Sequence, residues 1–355
     1  MITQRSMMLA IWLTTAIVLA FALGFAGCAI EHGDRGSLRT SQSSSLTTSR
    51  PPAPASATYA HATRRGSRRP RFAVGLRVFT FIDYSRLVNV PGVGLVPRTL
   101  VTVVRYPAAG SPTRVDVVGA PPASAAGPFP LLVFGHGFAV TPAVYAPLLR
   151  AWARAGYIVA APVFPLENAN APGGPNESDL VNQPGDMSLV ISRMLAVSAH
   201  SNSAFARLIN RRAIAVAGQS DGGETALAVA YDRSLLDPRV RAAVILSGAE
   251  IPGVGRFDFP APSPPLLATQ GTADVVNLPS RTNAFFDIAP APKYLLTLLG
   301  APHLGPYTDE QPQLGIVERV TIAFLDRYLK HIASAGNQLM AAGDVPGVSV
   351  LHADR

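Results

Sequence analysis

Six short apolar runs recur between residues 129 and 300: FPLLVFGHGF (129–138), IVAAPVF (158–164), AIAVAG (213–218), VRAAVILSG (240–248), PPLLATQG (264–271) and KYLLTLLG (293–300). None keeps the strict apolar–polar alternation of a strand with one wet face, so each reads as a strand buried on both faces. An earlier strand, RTLVTVVRYPA (98–108), is rich in β-branched residues. Between the runs lie stretches with apolar residues at helical spacing. PAVYAPLLRAWARAGY (142–157) has Gly156 as its expected C-cap, a helix through about Ala199 has Asp186 as its expected N-cap, and GGETALAVAYD (222–232) and GIVERVTIAFLDRYLK (315–330) complete the set. Buried strands interleaved with helices predict an α/β fold, a mostly parallel doubly wound sheet flanked by helices. In such sheets the ligand site lies beyond the carboxyl ends of the strands. A candidate catalytic residue should therefore stand just after a strand.

The rest of the chain divides by composition. Arg5 precedes an uncharged apolar run from Met7 to Ile30, the pattern of a secretory signal. The run closes on Phe25-Ala26-Gly27-Cys28, which is similar to a bacterial lipobox, and Cys28 is the only cysteine in the 355 residues. The expectation is a signal segment over 1–28 with lipidation at Cys28; an uncleaved membrane anchor and ordinary cleavage are the alternatives. All three place the folded part outside the cytoplasm. Residues 29–70 are rich in Ser, Thr, Pro, Ala and Arg with little to bury, as in a disordered tether. Much of the formal net charge of +8 sits there or just beyond, in Arg64, Arg65, Arg68, Arg69 and Arg71. Clustered in such a stretch, these arginines suit an anionic lipid or cell-wall polymer, and no nucleic-acid partner is expected. Residues 71–332 are the expected catalytic domain and 333–355 a C-terminal tail. A lone cysteine allows no internal disulfide, and no His-Glu-x-x-His or comparable ligand spacing occurs, so neither metal nor organic cofactor is expected.

The chemistry concentrates in Gly218-Gln219-Ser220-Asp221-Gly222, a Gly-x-Ser-x-Gly pattern between an apolar strand and a helix. At such an elbow the serine is held in a strained turn that exposes its hydroxyl. The flanking positions, Gly218 and Gly222, must be small because strand and helix nearly touch. The hydroxyl needs a base, and the base needs an orienting acid. His303, in GAPHLGP, follows the strand 293–300, and Asp274, in QGTADVV, follows the strand 264–271. Both pass the strand-end test; Glu250, just after the strand 240–248, is the rival acid. The loop Gly135-His136-Gly137-Phe138 follows the strand beginning at 129, and the amides of Phe138 and Asp221 are the expected oxyanion donors. His136 is expected to hold the loop and not to move protons, with Gly137 permitting a positive φ.

From Phe72 to Lys330 the chain resembles the α/β-hydrolase family. Within it, the chain is similar to bacterial carboxylesterases related to dienelactone hydrolases, chlorophyllases and platelet-activating-factor acetylhydrolases. The motifs are FGHGF, GYIVAAPVFP, NQPGDMSLVISRML, VAGQSDGGETAL, GTAD and PHLG. The resemblance implies an α/β-hydrolase fold and a cofactor-free serine esterase with the triad Ser220, Asp274 and His303, acting on a small-molecule or lipid-like ester. Polyester hydrolases look like relatives too, but they carry His-Ser-Met where this chain has Gln219-Ser220-Asp221, and a tryptophan where it reads LSGAEIPG. The other functional expectations are a peptidase or amidase on the same triad and a non-catalytic envelope-binding lipoprotein.

Overall fold

The computed structural model describes residues 72–251, 253–255 and 258–355. The signal segment 1–28, Cys28 and the tether 29–70 lie outside the described residues.

The order of elements is β1 (Ala73–Val90), β2 (Gly94–Ala108), β3 (Val117–Val118), β4 (Phe129–Gly135), α1 (Ala146–Arg154), β5 (Ile158–Val163), α2 (Gln183–Ala199), β6 (Ile209–Gln219), α3 (Asp221–Tyr231), β7 (Val240–Leu246), β8 (Leu266–Gly271), α4 (Pro279–Ile288), β9 (Lys293–Leu298), α5 (Gly305–Thr308), α6 (Gln313–Tyr328), α7 (Ala335–Gly343) and β10 (Ser349–Asp354). The ten described strands form one sheet in the order β10-β9-β8-β7-β6-β4-β5-β2-β1-β3. From β5 to β9 the neighbours are parallel, whereas β2 joins β5, and β10 joins β9, antiparallel. The sheet is the mixed, mostly parallel, helix-flanked sheet of the α/β-hydrolase fold.

The apolar runs behave as their lack of alternation requires. Along β4, Leu131 and Val133 enter one core, with Met187, Val190 and Ile191 of α2, Leu227 of α3 and Phe285 of α4. Leu132 and Phe134 enter the other, with Leu148 and Trp152 of α1 and Val317, Val320 and Phe324 of α6. Trp152 is fully buried and donates its indole N–H to Thr321 Oγ1 at 2.8 Å. After β4 the chain moves to β5 on one side and then returns to β6 on the other. The crevice at that reversal, beyond the ends of β4 and β6, is where this architecture places a ligand.

Two sequence expectations require correction. Residues 333–355 are no tail: α7 packs Leu339 into the second core, and β10 pairs with the whole of β9. Asp186 is not an N-cap. The helix α2 begins at Gln183, and Asp186 lies buried in its first turn. There it meets Arg98 of β2 at 2.6–2.7 Å and Arg86 at 2.8 Å. Arg98 also holds Asp179 through both carboxylate oxygens, at 2.7 and 2.8 Å. An acid in a first helical turn can serve either purpose, and here a buried guanidinium claims it. The long β1, antiparallel to β2 along its length, extends the sheet beyond the strands read from the sequence. Among the described residues, no helix is long and apolar enough to cross a membrane.

Candidate active site

The elbow is built from backbone clearance. Gly218, next to last in β6, lies beside Gly135 of β4, its register partner. A Cβ on Gly218 would collide with the Gly222 carbonyl, and one on Gly222 would collide with Gly135. With no side chain at these points, strand and helix approach until Ser220 is forced to φ 55°, ψ −125°. That is a costly conformation for a non-glycine residue, and it persists only where the surroundings over-determine it. Here they do: Ser220 donates its N–H to Leu246 O at 3.0 Å, and its carbonyl accepts from Glu224 N–H at 3.0 Å.

Three side chains from three strand ends meet at this turn. His303 Nε2 stands 2.9 Å from Ser220 Oγ. On the far side of the ring, His303 Nδ1 stands 2.8 Å from Asp274 Oδ2. A carboxylate there can only accept, so the proton sits on Nδ1 and Nε2 is left to accept from the serine hydroxyl. Glu250, the rival acid, is exposed after β7. Asp274 is buried and fully engaged. Its Oδ1 accepts the N–H groups of Val276 at 3.0 Å and Asn277 at 2.9 Å, and its Oδ2 also accepts from Gln270 Nε2 at 3.2 Å. Burial alone would raise its pKa; the bond to His303 and the two backbone amides outweigh burial and hold it below the usual carboxylate value.

His136 is neutral and structural. Its Nδ1–H donates to Gly137 O at 2.8 Å, and its Nε2 accepts the Phe164 N–H at 3.1 Å, tying the end of β4 to the end of β5. Full burial pushes its pKa down to about 4, so it carries no charge at neutral pH. Gly137 serves differently from the expectation. It is not among the glycines with positive φ. A Cβ there would come within 2.8 Å of Gln219 Oε1 and 3.1 Å of Ser220 Cβ, so the glycine lets the loop lie close against the elbow. Phe138 follows it, partly exposed, and the next residue, Ala139, takes φ 55° and donates to Glu167 O at 2.9 Å. Asp221 opens α3, where an N–H has no acceptor within the helix.

Two contributors escape sequence reasoning. Tyr145 donates its hydroxyl to Gln219 Oε1 at 2.6 Å and accepts from the Gly137 N–H at 3.3 Å. Gln219 Nε2 then donates to His303 O at 3.0 Å and lies 3.2 Å from His303 Nε2. A chain of hydrogen bonds thus runs from the loop after β4 through the elbow to the histidine. Gln219 was visible in the elbow motif, but nothing in its spacing indicated that it faces the imidazole.

The chlorophyllase family model matches residues 86–258, so over that stretch the chain is similar to a family of α/β-hydrolase-type esterases. No curated protein matches the sequence. The matched stretch includes Ser220 and ends before Asp274 and His303, so the grouping of these last two with the serine rests on their geometry. At the level of reaction class, fold and family match together point to an ester hydrolase.

Proposed function

We propose that the protein is a serine carboxylic-ester hydrolase that works through an acyl-enzyme on Ser220. The observation that carries this reading is the continuous Ser220–His303–Asp274 hydrogen-bonded chain, with the serine held at positive φ at the mouth of a topological switch point. His303 Nε2 takes the hydroxyl proton as Ser220 Oγ attacks the ester carbonyl. The oxyanion that forms accepts from the amides of Phe138 and Asp221. As the C–O bond breaks, the imidazolium returns its proton to the departing alkoxide, and the alcohol leaves. Water then repeats the sequence: His303 takes its proton, hydroxide adds to the acyl carbon, and the carboxylic acid departs as Oγ is reprotonated. Asp274 holds the Nδ1–H tautomer throughout and offsets the charge of the imidazolium.

A small-molecule or lipid-like ester suits the surroundings. Phe138 and, beside Asp274, Val275, Val276 and Leu278 expose apolar surface. The N-terminal apolar run and the sole cysteine at its end support an extracytoplasmic protein held to the membrane by lipid on Cys28. Fatty-acid analogue labelling in a bacterial host should be lost in Cys28→Ser. The reaction class is tested by comparing p-nitrophenyl esters of increasing acyl length with peptide anilides: turnover of the esters, lost in Ser220→Ala, is expected. Preferential turnover of anilides would make the protein an amidase, and ligand binding without any turnover would make it a binding protein.

A further inference from the structure

Glu167, in the loop after β5, takes no part in the mechanism above, yet it touches both sides of the expected oxyanion site. Its backbone carbonyl accepts the N–H of Ala139, the residue next to Phe138. Its side chain is fully buried, and its carboxyl lies within hydrogen-bonding reach of the carboxyl of Asp221, the other expected donor residue. Among the described residues, neither oxygen of the Glu167 carboxyl nor Oδ2 of Asp221 meets a donor. Two ionised carboxylates repel at such a site, whereas one proton between them gives Asp221 Oδ2 a donor and removes the second charge.

We propose that Glu167 is a positioning residue that shares one proton with Asp221 and thereby fixes the two amides of the oxyanion site relative to each other. The proposal rests on the esterase reading for its catalytic part. The proton resides on the Glu167 carboxyl and is donated to Asp221 Oδ2. The charged groups around the pair favour it. Asp179 and Glu177, in the turn ahead of α2, add negative charge near Glu167, and Glu224 on α3 and Tyr145, just ahead of α1, lie near Asp221. Arg98, the nearby buried cation, is committed to Asp179 and Asp186. Burial first, and then Asp221, Asp179 and Glu177, push the Glu167 pKa up to about 11.

A shared proton has a consequence that packing alone does not. Above the ordinary glutamate pKa the unfolded chain has released this proton while the folded protein keeps it, so stability falls as pH rises. In Glu167→Gln an amide N–H replaces the proton at every pH, and that dependence disappears. Urea unfolding of wild type and Glu167→Gln between about pH 6 and about pH 9 should show the folding constants diverging by about tenfold per pH unit, in favour of the variant as pH rises. A gap that does not change with pH overturns the shared proton. For the positioning role, Glu167→Leu should lose about a hundredfold in kcat on a p-nitrophenyl ester with KM little changed, and Glu167→Gln should restore most of it. Wild-type kcat in a folded Glu167→Leu protein overturns that role. Should Glu167→Leu not fold, low kcat in a folded Glu167→Gln does so instead. If the wild-type protein hydrolyses no ester, the esterase reading fails, while the pH dependence of the stability gap still decides the shared proton.

Discussion

Replacing Asp274 by asparagine removes one charge and no volume, and the surroundings dictate how the new amide must sit. The Oδ1 site receives two backbone N–H groups, from Val276 and Asn277, so the amide oxygen has to occupy it. The NH2 group then falls where Oδ2 was, facing His303 Nδ1 and Gln270 Nε2. Both are donors in the native protein. His303 can meet the new donor only by accepting at Nδ1, which moves its proton to Nε2 and leaves no lone pair for the Ser220 hydroxyl. Gln270 cannot turn over in compensation without losing the 2.6 Å bond that its Oε1 accepts from Thr282. The variant should therefore fold with its triad in the wrong tautomer. In serine-protease triads that change costs ~10⁴ in kcat, which corresponds to about 5.5 kcal/mol of transition-state stabilisation. Steady-state hydrolysis of p-nitrophenyl acetate at neutral pH measures it, with KM expected to change little because the acyl and alcohol contacts are untouched. A folded Asp274→Asn protein with kcat within tenfold of wild type would refute the assigned tautomer and with it the role of Asp274.

Other outcomes follow from the same contacts. The depressed pKa of Asp274 means that its ionised form stabilises the fold above the ordinary carboxylate value of 3.8, and that this contribution is lost as pH falls through the lower folded value. In urea titrations the stability gap between wild type and Asp274→Asn should narrow as pH falls below 3.8. Gly218→Ala drives a methyl group into the Gly222 carbonyl and should cost at least about 3 kcal/mol, read as a loss of soluble folded protein. Arg98→Met leaves Asp179 and Asp186 buried without their guanidinium and should destabilise by about 3–5 kcal/mol in urea unfolding, with esterase activity per folded molecule largely kept.

The central strands, and the places of Ser220, Asp274 and His303 at their ends, could be read from the chain because each depends on local pattern. Runs without alternation mark strands covered on both faces, and Ser220, Asp274 and His303 each stand where such a run stops. Glu167 and Gln219 were not legible in the same way. A glutamate in a Pro/Asn-rich loop looks like a solvated residue until the loop folds under the elbow, and a glutamine beside a serine carries no sign of the imidazole it will meet. The same holds for Asp186, whose place in a first helical turn looks the same from the sequence whether it caps backbone amides or neutralises a buried arginine. The strands β1 and β10 were missed for a further reason. They lie antiparallel at the margins of the sheet, outside the alternation of strand and helix that made the centre readable.

A Ser220 activated by His303 should attack an electrophilic phosphonate as it attacks an ester. Incubating the folded full-length protein with a fluorophosphonate probe and mapping the adduct by mass spectrometry tests it directly. One probe per chain, on the peptide containing Ser220 and absent in both Ser220→Ala and His303→Ala, is the predicted result. A folded wild-type protein that stays unlabelled, or one labelled at another serine, would contradict it.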